Sequence, residues 1–390
     1  MTGRDAINWR LLMPLLAAAT LLQTTVPLAR IATSYQAVDL GLSLASIGLL
    51  SSAFALLPIL FTLRIGRYSD RRGEAMVAAT GSVLVLVAVV GLWLAPADFA
   101  TMLALTLLLG VGQVMVISSL QMATTRCSGP EAQDRVLGHF LMATALGHAL
   151  GPLLLTAVTP AGAVTPGPAL FAVLAGAATA LTLAAALLAV RLPPHILPLP
   201  GQKPDSLRSI LRAPGLLATV LASGLCLATN DLIVVFLPAL AAARDIDAGT
   251  VGLLLSLRAA ASMASRLLFA RLVKQISRVT LMTLSLIVAG AASAAMLFTL
   301  PVWLLAVVLA GAGYSMGIAI ACTISVTLAL APAGSRATAL SLRMTANRLG
   351  QFLMPLVAGA TAATLGAGGP FLITGVALVA CGLSVRRVRL

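Results

Sequence analysis

The chain has 390 residues, of which 60% are hydrophobic and only 9% charged, and its mean hydropathy is +1.05. Water-soluble globular proteins carry about 25% charged residues, so this composition excludes a soluble enzyme or binding module and implies an integral membrane protein. A net charge of +14 would suggest a nucleic-acid partner in a soluble chain, but the 25 basic residues are scattered along the sequence rather than gathered in one patch.

Apolar runs between charged, Gly or Pro breaks predict twelve spanning helices, each near the roughly 20 residues that cross a bilayer. They fall at about 11–33, 42–63, 76–95, 99–124, 136–159, 169–190, 215–240, 249–270, 279–299, 302–330, 337–364 and 371–385. The first run, Leu11 to Ala29, lacks a small-x-small cleavage site and reads as a retained span. The stretch Arg191 to Pro214 contains six prolines. It is expected as a cytoplasmic central loop (191–214) between an N-terminal six-helix bundle (1–190) and a C-terminal one (215–390).

Lys and Arg accumulate in cytoplasmic loops. The alternate loops that include both termini hold 19 of them, whereas the opposite set holds only Arg244. Both termini are therefore expected inside, and topology accounts for the basic charge with no nucleic acid. Cys127, Cys226, Cys322 and Cys381 make no C-x-x-C pair and no metal-ligand spacing with His139, His148 or His195. Neither a metal nor a cofactor is expected. No Walker A pattern occurs, which disfavours ATP hydrolysis.

The two halves repeat one another. An offset of 204 aligns Ser46–Ser52 with Thr250–Ser256, 201 aligns Gly110-Val111-Gly112 with Gly311-Ala312-Gly313, and 203 aligns Leu146–Leu153 with Leu349–Leu356. Agreement within three residues at three places points to duplication, with the copies parallel in topology.

The turn after the second span reads Gly66-Arg67-Tyr68-Ser69-Asp70-Arg71-Arg72-Gly73-Glu74. It resembles the G-x-x-x-D-R-x-G-R-R signature of the major facilitator superfamily, with Gly73 one residue early and Glu74 in the basic stretch. Span 5 carries Gly138, Gly147, Gly151 and Pro152, similar to that superfamily's antiporter motif but lacking its final glycine pair. The resemblance implies an all-α membrane fold of twelve helices in two pseudo-symmetric six-helix bundles. In such a fold spans 1, 4, 7 and 10 line a cavity, and 3, 6, 9 and 12 face lipid. It also implies that Asp70, with Gly66, Arg71 and Gly73, holds the inner ends together in one conformation. The span 5 glycines are expected on a face that a neighbouring helix approaches closely, with Pro152 interrupting the hydrogen-bond ladder.

Charges inside the spans are costly, at least about 2.5–3.5 kcal/mol each at the bilayer centre, and mark functional candidates. They are Arg30, Arg258, Arg266, Arg343, Arg348 and the single acid Asp231. Arg266 is discounted as a residue near the inner surface. Asp231 and Arg30 are expected to pair and, with His148, to serve proton coupling or gating; a static helix-to-helix bridge and a packing histidine are the alternatives. Arg343, Asn347 and Gln351 share one helical face, with Arg348 turned aside. Arg258, Arg343, Asn347, Gln113, Asn230 and Tyr314 are the candidate substrate contacts, since guanidinium groups bind carboxylates in a bidentate way.

The reading is a secondary transporter of a bacterial inner membrane, working by alternating access. Its first form is a proton-coupled antiporter for efflux of a small organic, anionic or amphipathic compound. The alternatives are proton-coupled uptake of an organic anion and a non-transporting sensor. The partners are a small-molecule substrate, protons and the lipid bilayer, and the chain is expected to be a monomer. No catalytic residue is assigned.

Overall fold

A computed structural model describes residues 7–95, 98–129, 132–191, 214–331 and 336–386. The described residues form twelve long helices: α1 (Trp9–Asp39), α2 (Leu44–Arg72), α3 (Glu74–Leu94), α4 (Phe99–Thr124), α5 (Gln133–Val158), α6 (Ala169–Arg191), α7 (Leu216–Ala242), α8 (Ala248–Gln275), α9 (Arg278–Ala295), α10 (Val302–Leu330), α11 (Arg336–Leu365) and α12 (Gly369–Val385). Eleven of them contain a segment long and apolar enough to cross a membrane. The exception, α11, is 30 residues long but carries Arg343, Asn347, Arg348 and Gln351 within it. The central loop expected at 191–214 lies almost wholly outside the described residues.

Helix starts are set by local chemistry. The Asp98 carboxylate caps α4 by accepting from the Thr101 amide (3.0 Å) and hydroxyl (2.6 Å). Asp247 does the same for α8 through Thr250, at 2.8 and 2.6 Å. Those bonds favour the ionised form and hold both carboxyls below the usual aspartate range. Between α2 and α3 the chain turns at Gly73 with φ +82°, a conformation that a side chain disfavours. At the next residue, buried Glu74 accepts from Arg126 at 2.7 Å, tying the start of α3 to the turn after α4.

The described residues divide into two compact units, one drawn from 1–40, 56–199 and 247–256, the other from 41–55, 200–246 and 257–390. In the first, α1 packs on α4, α5 and α6, and α3 packs on α4 and α6. In the second, α7 packs on α10, α11 and α12, and α9 packs on α10 and α12. Adding six to each helix number of the first set gives the second, so the sequence repeat is also a packing repeat. Within the first unit the start of α8 lies on α5, where Thr156 donates to the Gly249 carbonyl at 2.8 Å and Ser256 to the Ala149 carbonyl at 3.0 Å. Within the second, the start of α2 lies on α11, and a Cβ at Gly48 would stand 3.0 Å from the Gly359 Cα.

Candidate functional site

α7 is the most enclosed span, and its middle carries Asn230 and Asp231. Inside the second unit these two meet polar side chains from α8 and α11. Gln351 donates through Nε2 to Asp231 Oδ2 at 2.6 Å, and Arg348 donates through Nη1 to Gln351 Oε1 at 3.1 Å. The Gln351 amide thus relays between a guanidinium and a carboxylate. Beside it the Arg258 guanidinium donates to Asn230 Oδ1, while the buried Arg258 Nε has no hydrogen-bond partner among the described residues.

Two further bonds tie α11 to its neighbours toward the start of that helix. Arg343 is buried and donates through Nε to Thr323 Oγ1 on α10 at 3.4 Å, and Ser223 on α7 donates to Asn347 Oδ1 at 2.7 Å. The three residues expected on one face of α11 reach three different partners: Thr323, Ser223 and Asp231. Arg348 was expected to turn aside, and instead it joins the cluster. It lies three residues before Gln351, and i,i+3 neighbours on a helix are within side-chain reach. Ser223 was missed, because a lone serine in an apolar helix gives no signal of its own.

In the first unit, Arg30 is 8% exposed on α1. Gln113 on α4 and Gln23 on α1 each have an amide oxygen without a hydrogen-bond partner among the described residues. His148 Nδ1 lies 2.8 Å from the Thr144 carbonyl one turn back on its own helix. Tyr314, on α10 in the second unit, is half-buried.

The span 5 motif is partly corrected. A Cβ at Gly147 would lie 2.8 Å from the Gln23 Cβ, and one at Gly151 2.7 Å from the Thr24 carbonyl oxygen, so these two glycines let α5 lie against the α1 backbone. Gly138 is exposed with nothing near it. Nine residues at 100° each put it half a turn away from Gly147, on the opposite face of α5. Pro152 lies within α5, where it cannot donate to the His148 carbonyl. Gly66, Asp70 and Arg71 fall in α2, but their side chains are outside the described residues.

Fold similarity extends over nearly the whole chain. A point mutant of the nucleoside transporter NupG matches with a TM-score of 0.77 at 14% identity, covering 96% of this chain and 98% of its own. A bacterial homologue of the human lysosomal transporter Spinster gives 0.75 at 16%, covering 97% and 92%. A D-xylose-proton symporter gives 0.74 at 14%, covering 97% and 98%. No curated protein matches the chain by sequence. The sequence profile of the Major Facilitator Superfamily matches residues 5–240 and 219–389. With twelve helices, a repeated packing pattern and a buried polar cluster in the second unit, this multi-pass membrane protein belongs to the Major Facilitator Superfamily.

Proposed function

We propose that the chain is a proton-coupled secondary transporter that exports a small organic anion or amphipathic acid by alternating access. The observation that carries this reading is the cluster on α7, α8 and α11, where Arg258 and Arg348 accompany the carboxylate Asp231, with buried Arg343 further along α11. Guanidinium groups in a low-dielectric setting favour a carboxylate ligand, and the excess of cations leaves room for a substrate anion to balance them. The Arg258 Nε supplies a donor position that no described protein group occupies.

Asp231 is the proton-binding group in this reading. Protonation removes the charge that Gln351 and Arg348 stabilise, and that loosens the α7–α11 connection. His148 is a second protonation site on α5. The segment containing Asp70 is proposed to control conformation, and the asymmetry of Lys and Arg supports cytoplasmic termini.

Export is tested in everted membrane vesicles. An inside-acid pH gradient should drive accumulation of benzoate or carboxyfluorescein by the wild type, and Asp231→Asn should abolish the gradient dependence. Accumulation in right-side-out vesicles with an outside-acid gradient would favour the second reading, uptake of an organic anion, to which the same three arginines lend support.

A further inference from the structure

Arg343 stands apart from the Asp231 cluster. It precedes Gln351 by eight residues, which is about 12 Å along the axis of α11 and a turn of about 80° around it. Its guanidinium therefore meets α10 rather than α7, and Nε donates to Thr323 Oγ1 at 3.4 Å. That is longer than the usual N–H···O distance of about 2.7–3.2 Å. Arg343 is 8% exposed and forms no ion pair among the described residues. Its Nη1 and Nη2 make no hydrogen bond there either, yet they are not sealed off as the Arg258 Nε is. A buried guanidinium without a counter-ion is strongly destabilising, and an anion from outside the chain would relieve it.

The hydroxyls on α10 divide by role. Thr323 gives its proton to the Ile320 carbonyl at 2.8 Å, which leaves only lone pairs for Arg343. Thr327 lies one turn further along the same face of α10. It is fully buried, and its Oγ1 has no hydrogen-bond partner among the described residues. Because α10 and α11 are consecutive spans that run in opposite directions, this turn leads toward the start of α11 and away from Gln351. Arg343 and Thr327 thus leave two guanidinium nitrogens and one hydroxyl proton without acceptors.

We propose that Arg343 and Thr327 form a second anion site, separate from the Asp231 cluster, which takes a monocarboxylate. This rests on the organic-anion reading above and adds that two substrate anions can be held at once, one at each station. The two oxygens of a carboxylate match the two terminal nitrogens of one guanidinium, and its single charge balances that of Arg343. A doubly charged phosphate would leave a buried negative charge uncompensated. Chloride, with a single centre, lacks the paired acceptors that the fork and the Thr327 hydroxyl present to a carboxylate.

The test is equilibrium dialysis of radiolabelled benzoate against the purified full chain in detergent. The wild type should bind two benzoates, and Arg343→Gln and Arg258→Gln should each bind one. Thr327→Val keeps the shape of the side chain and removes an unpaired hydroxyl, so it should preserve Tm while weakening one of the two sites about ten-fold. In Arg258→Gln, chloride or inorganic phosphate at equal ionic strength should leave the remaining benzoate bound, and acetate in excess should displace it. Fewer than two benzoates on the wild type, or two that persist in Arg343→Gln, would overturn the second site while leaving the export reading intact. Unaltered affinities in Thr327→Val, or displacement of that remaining benzoate by chloride or phosphate, would overturn the composition proposed for it. Two bound benzoates without pH-driven accumulation in vesicles would instead refute the export reading and leave the site standing.

Discussion

Holding Arg258, Arg343 and Arg348 in a membrane bundle with one carboxylate requires each guanidinium to find a polar partner, because an unpaired buried charge costs several kcal/mol. Their hydrogen-bond partners include the neutral groups of Asn230, Thr323 and Gln351. A neutral amide or hydroxyl satisfies an N–H donor without cancelling the positive charge. Gln351→Leu removes one charge-assisted bond from Asp231 and should lower stability by about 1.5–3 kcal/mol, read as a fall in Tm in detergent. Arg343→Lys keeps the charge but loses the planar fork. It should weaken apparent substrate affinity by about ten-fold with little change in Tm, measured by initial transport rates against concentration. A loss of Tm with unchanged affinity would make Arg343 a strut between α10 and α11. Arg348 was misjudged from its position one residue past Asn347. Its length and its i,i+3 relation to Gln351 decide where the guanidinium goes, and a helical wheel records only where the Cα points.

At the scale of single helices, the apolar runs define the spans well because a bilayer sets both their length and their composition. The predicted 99–124 and 302–330 coincide with α4 and α10. Most other ends move by a few residues, where polar and basic termini extend past the hydrocarbon core. The Gly138 spacing misled because a motif lists separations without stating the face, and the face follows only from 100° per residue. Gly147→Val should therefore destabilise by about 1–3 kcal/mol through overpacking against α1, while Gly138→Ala should change stability by less than about 0.5 kcal/mol. Comparison of the two Tm values checks both statements. The α8 cap gives a pH-dependent prediction. Its hydrogen bonds to Thr250 depress the native pKa of Asp247 below 3.8, so the cap contributes stability above the unfolded pKa and loses it as pH falls through the native value. Asp247→Ala should cost about 1 kcal/mol near neutrality, and its Tm should converge with that of the wild type as pH falls through the depressed native pKa of Asp247.

For the whole molecule, the repeat is the most informative feature, since one offset of about 203 residues orders both sequence and packing. The fold and the membrane class were legible in composition, periodicity and that offset. The polar cluster was legible only in part. Asp231 and the arginines stand out in apolar helices, but which neutral residues join them depends on inter-helix contacts that leave no local pattern, as with Ser223. The duplication also left the two copies unequal in charge, with the Arg258, Arg343 and Arg348 cluster confined to the second unit. This asymmetry supports a division in which the second unit handles the proton and much of the substrate charge. The central claim is that Asp231 couples protons to movement of an organic anion. The most direct measurement is gradient-driven transport by purified chain in proteoliposomes, wild type against Asp231→Asn, with benzoate and carboxyfluorescein as probes. The account predicts accumulation by the wild type that collapses with a protonophore, and an Asp231→Asn variant that loses accumulation but retains exchange at equal pH. Full pH-driven accumulation by Asp231→Asn would contradict it.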